Sequence, residues 1–309
     1  MAIDTLRIAT RESQLALWQA EFVAAELRRA HPDLTVELVP MTTRGDQWLS
    51  APLSQVGGKG LFIKELEVAM QEGRADLAVH SMKDVPAVMP EGFTLAAIGH
   101  RADPRDALVG TDVVSLAALP RGARVGSSSL RRQAQLKRLR PDLELSPVRG
   151  NVNTRLAKLD AGEFDVLVLA VAGLERLGFG ERIAARLSVD ESLPAAGQGA
   201  LGIECLTGAT DVLERIAVLN QADVAARVRA ERAVAETLGA SCSTPLGAFA
   251  EQADDGQLWL RARLAAPDGT QLLTGEGRGV DPEALGRAVA EQLFTAGARP
   301  LLAALEQGG

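Results

Sequence analysis

Two α/β lobes joined by two crossing segments, followed by a small α+β domain, is the architecture this sequence predicts. Three observations carry that expectation. Strand-like and helix-like stretches alternate from Leu6 to Ser81, and the alternation restarts at Ala123. A Gly/Pro-punctuated segment over residues 190–205, DESLPAAGQGALGIEC, is long enough to run back from the second lobe to the first. Three antiparallel-type strand patterns close the chain, with turn signals at Asp255-Gly256 and Asp268-Gly269. At 309 residues the chain exceeds one ordinary core, so several domains are expected.

LRIAT (Leu6 to Thr10) reads as the first strand. The helix behind it carries Leu15, Trp18, Phe22, Ala25 and Leu27 at near-helical spacing, with Ser13 as N-cap and His31-Pro32 as stop. TVELVPM is a second strand with a turn-like TTRGD after it. LFIKELEVAMQEG follows as an amphipathic helix closed by Gly73, and ADLAVHS is a third strand ending in MKDVP. Strand, helix, strand, helix, strand predicts a right-handed parallel sheet. FTLAAIG and DALVG are two short strands around a polar link at Arg101 to Arg105.

The second lobe repeats the pattern: ARVGS strand, SLRRQAQLKRLR helix stopped by Pro141, LELSPV strand, NTRLAKLDAG helix, FDVLVLA buried strand. DVLERIAVL is helical after the return segment. A helix, DVAARVRAERAVAETL, ends at Gly239, and the loop GASCSTPLG leads into the three C-terminal strands and a final helix, PEALGRAVAEQLF. The expected domains are 1–99 plus 200–219, 105–193, and 222–309.

Charge gives the first clue to function. Between Arg124 and Lys158 lie nine Lys or Arg and two acids, inside a chain of net charge -7. Such a concentration asks for an anionic partner: phosphate, nucleic acid or carboxylate. Aromatic residues make up only 3% of the chain, with no Tyr, so stacking platforms for bases are scarce. An acidic chain with few aromatics argues against nucleic acid as the partner. No run approaches the ~18 apolar residues of a membrane span. The first residues lack the uninterrupted apolar core of a signal peptide, and two cysteines make no disulfide scaffold. A cytoplasmic protein is expected.

In parallel α/β sheets, ligands sit beyond the C-terminal strand ends, where helix N-termini point. Arg11 and Ser13 follow the first strand, and Lys83 and Asp84 a later one. Ser127, Ser128, Ser129, Arg131 and Arg132 follow the first strand of the second lobe, and Arg149 through Arg155 its next strand. Forked guanidinium donors suit carboxylates. Arg131, Arg132, Arg149 and Arg155 are assigned to the cleft because they belong to loops expected to converge. Lys137, Arg138 and Arg140, at the far helix end, are expected to face water. Asp84 could stabilise a developing cation or move a proton, although a Lys-Asp dipeptide by itself is an ordinary surface pair. GGKG at Gly57 to Gly60 lacks the spacing of a phosphate loop, while Lys59 could still face the cleft. The three histidines are scattered and predict no metal site. Cys205 reads as a buried hydrophobe; Cys242, in a loop of small residues, could be structural or a site of covalent chemistry.

Taken together, IATRESQLALWQ, TTRGD, GGKGLFIKELE, HSMKDVP, RADPRDALV, VGSSSLRRQAQL, RGNVNTRL, LPAAGQGALGIEC and AERAVAETLGASCSTPLG resemble the porphobilinogen deaminase family. These segments span all three expected domains in order. The resemblance implies two periplasmic-binding-protein-like α/β lobes joined by two crossing segments, plus a small α+β C-terminal domain. It implies a dipyrromethane cofactor held by a thioether on Cys242. Four porphobilinogen molecules would be deaminated and joined in turn, and the linear tetrapyrrole hydroxymethylbilane released by hydrolysis. It assigns Asp84 as the catalytic carboxylate. Lys83, Ser127, Ser128, Ser129, Gly150, Arg131 and Arg132 would hold the cofactor, and Arg11, Ser13, Gln19, Lys59, Arg149, Arg155 and Arg176 the substrate. A monomer is expected. The family's cysteine loop commonly reads Gly-Gly-Cys, where this chain has Ala240-Ser241-Cys242. The competing classes are a two-lobed binding protein for a polyanion, without chemistry, and a nucleic-acid-binding protein.

Overall fold

The computed structural model describes residues 3–43, 63–111, 113–241 and 243–307. The first lobe runs β1 (Thr5–Arg11), α1 (Gln14–Ala30), β2 (Thr35–Met41), α2 (Lys64–Gln71), β3 (Leu77–Ser81) and β4 (Phe93–Gly99), with a 3-10 turn at Met82–Asp84. Ser13 caps α1, its hydroxyl accepting from the Ala16 amide. The second lobe holds β5 (Asp106–Val109), β6 (Arg124–Gly126), α3 (Leu130–Leu139), β7 (Glu144–Ser146), α4 (Val152–Asp160), β8 (Val166–Ala170), α5 (Val171–Arg176) and β9 (Ala185–Arg186). The chain then returns through β10 (Leu201–Leu206) and α6 (Thr210–Ile216). The last region is α7 (Ala222–Thr237), β11 (Leu246–Gln252), β12 (Leu258–Ala265), β13 (Leu272–Gly279), α8 (Pro282–Thr295) and α9 (Ala298–Gln307).

The sheet orders are β2-β1-β3-β10-β4, β7-β6-β8-β5-β9 and β11-β12-β13. In the first, β1, β2 and β3 are parallel, as the strand–helix alternation predicts. The fourth strand departs from an all-parallel sheet: β10 runs antiparallel to both β3 and β4. Its direction follows from its origin, because it arrives from the other lobe and not through a crossover helix. The second sheet has the matching feature, with β5, the strand that enters from the first lobe, antiparallel to β8. Each lobe therefore contains one strand delivered by a crossing.

Apolar strand faces account for the cores. Leu6, Ile8, Leu77, Val79 and Ile203 bury themselves under Ala20, Val23 and Leu27 of α1. Leu108, Val125, Leu136, Val166 and Val168 form one side of the second lobe, with Val109, Leu156, Leu167 and Leu169 on the other. The antiparallel sheet packs Leu258, Leu260, Ala262 and Leu264 against Val234, Val289 and Leu293. Its turns sit at the expected Asp-Gly pairs, with Gly256 at φ 79° and Gly269 at φ 75°, where a side chain would strain the backbone. The helix α9 was not foreseen; Leu301 and Leu302 pack it onto this core.

One carboxylate ties the crossings to the third region. Glu231 of α7 is fully buried and pairs with Arg101 on the outgoing crossing at 2.7 Å. It also accepts the amides of Gly197 on the return crossing and of Ala250 in β11. Buried charge is costly to leave unpaired, so Glu231→Ala should destabilise the protein by about 3–5 kcal/mol in chemical denaturation. Arg227→Ala, which removes a partly exposed helix pair with Asp223, should change stability by no more than about 0.5 kcal/mol.

Candidate active site

The site begins where β3 ends. Met82, fully buried, anchors the turn, and Lys83 and Asp84 stand exposed after it. Asp84 lines a small cavity of about 70 Å³ with Arg11, Ser13, Gln19, His80 and Ser81. Gln19, buried in α1, donates to the Ser81 hydroxyl at 2.8 Å and so fixes one wall. His80 is engaged with the buried carboxylate of Glu204 on β10 at 2.7 Å.

The second lobe supplies the opposite loops. Ser127 is buried, and its amide donates to Ser146. Ser128 donates its hydroxyl to the Val148 carbonyl at 2.6 Å, and Ser129 caps α3 by accepting from the Arg132 amide. Gly150 adopts φ 110°, and a Cβ there would lie 2.7 Å from the Thr154 side chain, so the turn between Arg149 and α4 requires glycine. Asn151 caps α4 through the Thr154 amide, and Arg155 donates Nε to the Gly150 carbonyl at 2.8 Å.

The arginines sort by their partners. Arg131 and Arg132 are 4% and 6% exposed and share Asp106 at 2.9 and 2.8 Å. Arg131 also donates to Ser192, the Leu193 carbonyl and Gln198 of the return crossing, and Arg132 to the Val168 carbonyl. Burial pushes Asp106 up, but Arg131 and Arg132 outweigh it and hold the carboxyl well below its usual range. Arg176 sits at the seam between lobes: it donates to the His100 and Gly199 carbonyls and lies 5.4 Å over the Trp18 ring, and burial lowers it to about 10. The expectation that the far end of α3 faces only water is corrected for two residues. Arg140 pairs with Asp142 at 2.7 Å and donates to the Leu116 and Leu119 carbonyls, while Lys137 donates to Leu143. Carbonyls of the neighbouring loops accept from both; Arg138 is exposed.

Lys83, Arg149 and Arg155 differ from these. Among the described residues no carboxylate forms a salt bridge with any of them. Lys83 is open to solvent yet walled by protein; burial lowers it to about 8, opposed by Asp84 and reinforced by Arg132. Burial likewise lowers Arg155 to about 10, with Arg132 and Arg149 adding to the effect and Asp84 opposing it. Asp84 of one lobe thus acts electrostatically on Arg155 of the other. Lys59 and Cys242 lie outside the described residues. On either side of position 242, the Ser241 amide donates to Thr244 and the Ser241 and Ser243 hydroxyls are 2.8 Å apart.

Sequence reasoning missed Asp106 and Glu204. Each is a lone acid at or in an apolar strand, DALV and LGIECL, and acids in buried strands signal a buried hydrogen-bonding partner.

Fold and cleft define a two-lobed α/β protein with convergent, unpaired cations facing a carboxylate, and an appended α+β domain. Residues 6–214 match the family described as porphobilinogen deaminase, dipyromethane cofactor binding domain, and residues 225–295 match porphobilinogen deaminase, C-terminal domain. The chain belongs to the porphobilinogen deaminase family, a family of transferases of tetrapyrrole biosynthesis, and its cofactor is dipyrromethane. Among solved structures, the VFT2 domain of BvgS from Bordetella pertussis is similar at 14% identity, over 69% of this chain and 85% of that one, with a TM-score of 0.42. The aliphatic sulphonate binding protein SsuA from Escherichia coli is similar at 14% identity, over 77% and 76%, with a TM-score of 0.40. The methionine binding protein MetQ gives 13% identity, 72% and 91%, and 0.45.

The residues present fit a cofactor that carries carboxylates, since burial lowers Lys83 and Arg155, Arg149 repels Arg155, and none of the three forms a salt bridge with a described residue. Because Lys83 loses its proton near pH 8, the affinity of the cofactor-free cleft for a pyrrole dicarboxylate should fall as pH rises through about 8. Calorimetric titration at pH 7 and 9.5 checks this, and Lys83→Met should abolish that step. The same shift makes stability rise between about 8 and 10.5, where the unfolded chain holds a proton that the folded one lacks.

Proposed function

We propose that this chain deaminates four porphobilinogen molecules, condenses them stepwise on a dipyrromethane held through a thioether at Cys242, and releases hydroxymethylbilane by hydrolysis. The observation that carries the reading is Asp84: it is the one carboxylate among the described residues lining the cavity it shares with Arg11, and its charge acts on Lys83 and on Arg155 of the opposite lobe. When bound, the dipyrromethane would supply the free pyrrole α-carbon at which the first unit is joined, each unit then offering its own α-carbon to the next.

Loss of ammonia from porphobilinogen leaves an electrophilic azafulvene whose pyrrole nitrogen carries positive charge. A fixed carboxylate facing that nitrogen stabilises the charge as it develops and takes up the pyrrole proton in relay. A carboxylate about 4 Å from a unit charge is worth about 4 kcal/mol at an effective dielectric of 20. Each pyrrole also bears acetate and propionate, so the growing chain is a polyanion that needs cations in number. In this reading Lys83, Ser127, Ser128, Ser129, Gly150, Arg131 and Arg132 serve the cofactor. Arg131 and Arg132 act from behind the cleft wall: they fix Asp106 and add positive potential at Lys83. Arg11, Ser13, Gln19, Lys59, Arg149, Arg155 and Arg176 serve the incoming substrate. The enzyme is taken to work as a cytoplasmic monomer.

Intact-protein mass should exceed the sequence mass by one dipyrromethane, and the excess should vanish in Cys242→Ser; an unmodified and fully active protein would sink the attachment. Asp84→Asn should fold and load cofactor while turnover falls about 10²- to 10³-fold. Near-normal turnover would remove Asp84 from the chemistry.

A further inference from the structure

The carboxylate of Asp84 receives no hydrogen bond from any described residue, so its aim is set by the backbone that carries it. That backbone is held from three sides. The Met82 amide donates to the Ala200 carbonyl on the return crossing at 3.0 Å, and the Val85 amide closes the 3-10 turn on Met82. Just past Asp84, Arg232 of α7 donates to three successive carbonyls: Val85 at 3.3 Å, Pro86 at 2.7 Å and Ala87 at 3.0 Å. Met82 and Val85 are packed on Val224, Ala225 and Val228 of the same helix.

Arg232, half-buried, belongs with Arg176 among the arginines that spend their donors on backbone carbonyls. Arg101, Arg131 and Arg132 each face a carboxylate, whereas Arg232 forms no salt bridge with a described residue; the carboxylate next to it, Glu231, is taken by Arg101. Burial lowers its charge affinity, and only Glu236 opposes that effect. A guanidinium kept charged and half-buried for carbonyls alone is a costly way to dock a loop, and a neutral apolar contact would dock it as well. What carbonyl-by-carbonyl gripping adds is a defined backbone path at residues 85–87, hence a defined direction for the side chain one residue earlier. The same helix ends at Thr237, and the chain passes Gly239, at φ 64°, directly into the loop of Ser241 and Ser243 that flanks the cysteine position.

We infer that Arg232 is a positioning residue for Asp84, and that α7 is the strut that fixes the catalytic carboxylate relative to the cysteine loop of the third domain. The inference rests on the reading of Asp84 as the catalytic carboxylate. Displacing a catalytic group by about 1 Å costs on the order of 10²-fold in rate, so Arg232→Met, which keeps the stem and removes every donor, should lower kcat of cofactor-loaded enzyme by about 10- to 100-fold with KM unchanged. Arg232→Lys, which keeps the charge and some of the donors, should recover part of the loss. Amide exchange across residues 82–87 should speed up in Arg232→Met, in cofactor-free and loaded protein alike, while β10 stays protected.

A merely structural role would lower thermal stability and the loaded fraction but leave kcat per loaded molecule at the parent value, and that result overturns the inference. Should Arg232→Met not fold, Arg232→Lys is read alone: normal kcat with normal exchange at 82–87 is the overturning result. A double-mutant cycle separates the two levels. If Arg232 acts through Asp84, Arg232→Met should have little further effect in Asp84→Asn. Slow Asp84→Asn with a full, independent loss from Arg232→Met overturns the positioning role alone. Near-normal Asp84→Asn overturns the reading of Asp84 and this inference with it.

Discussion

Two buried carboxylates, Asp106 and Glu231, hold the connections on which the rest of the molecule depends. The chain leaves the first lobe once and returns once, and each passage is a segment with little regular structure. Asp106, at the start of β5, accepts from Arg131, Arg132, Ser192 and Gln198, so it joins α3 to the return crossing. Glu231 joins Arg101 on the outgoing crossing to Gly197 on the return crossing and to β11. Charges removed from water are tolerated only where such donors saturate them. The crossings are thus fixed to each other and to the third region by contacts specific in direction, which apolar packing alone would not supply.

That framework sets the electrostatics of the cleft. The cations with structural work, Arg101, Arg131, Arg132 and Arg140, face carboxylates inside the protein. Among the described residues Lys83, Arg149 and Arg155 form no salt bridge; burial lowers Lys83 and Arg155, with Arg132 adding to both effects and Arg149 to that on Arg155. A chain of net charge -7 therefore presents a locally cationic cleft, to which the proposed function brings the carboxylates of the pyrrole chain. Within it Asp84 stands on a turn whose backbone is gripped from beneath, and its carboxylate accepts no hydrogen bond from a described residue. In the proposed function this combination leaves the carboxylate available to a developing cation while holding it in place.

Much of the architecture was legible because periodicity and punctuation agreed. Ser13 and Ser129 cap the helices they were expected to cap, or to open, and the Asp-Gly turns of the third sheet fall where the sequence puts them. The direction of β10 was not legible. A strand buried on both faces reads as a continuous apolar run in either orientation, so LGIECL could signal burial but not antiparallel pairing. The site was legible in its loops and less so in its charges. Sequence gathers Arg131, Arg132, Arg149 and Arg155 alike after strand ends, yet which of them meets Asp106 is decided by a strand more than twenty residues away. Arg140 shows the same limit, since the Leu116 and Leu119 carbonyls that accept from it leave no trace in composition. Arg232 lies in a segment singled out for its cysteine loop, and its three carbonyl partners precede it by about 145 positions.

In the proposed function the tetrapyrrole grows while covalently attached to this chain in the cleft. Intact-protein mass spectrometry of the cofactor-loaded enzyme, quenched soon after mixing with limiting porphobilinogen, tests it directly. The account predicts a ladder of species, each heavier than the last by one deaminated pyrrole unit and all collapsing to the resting mass as product is released. Linear tetrapyrrole accumulating while the protein's mass stays constant throughout turnover would contradict it.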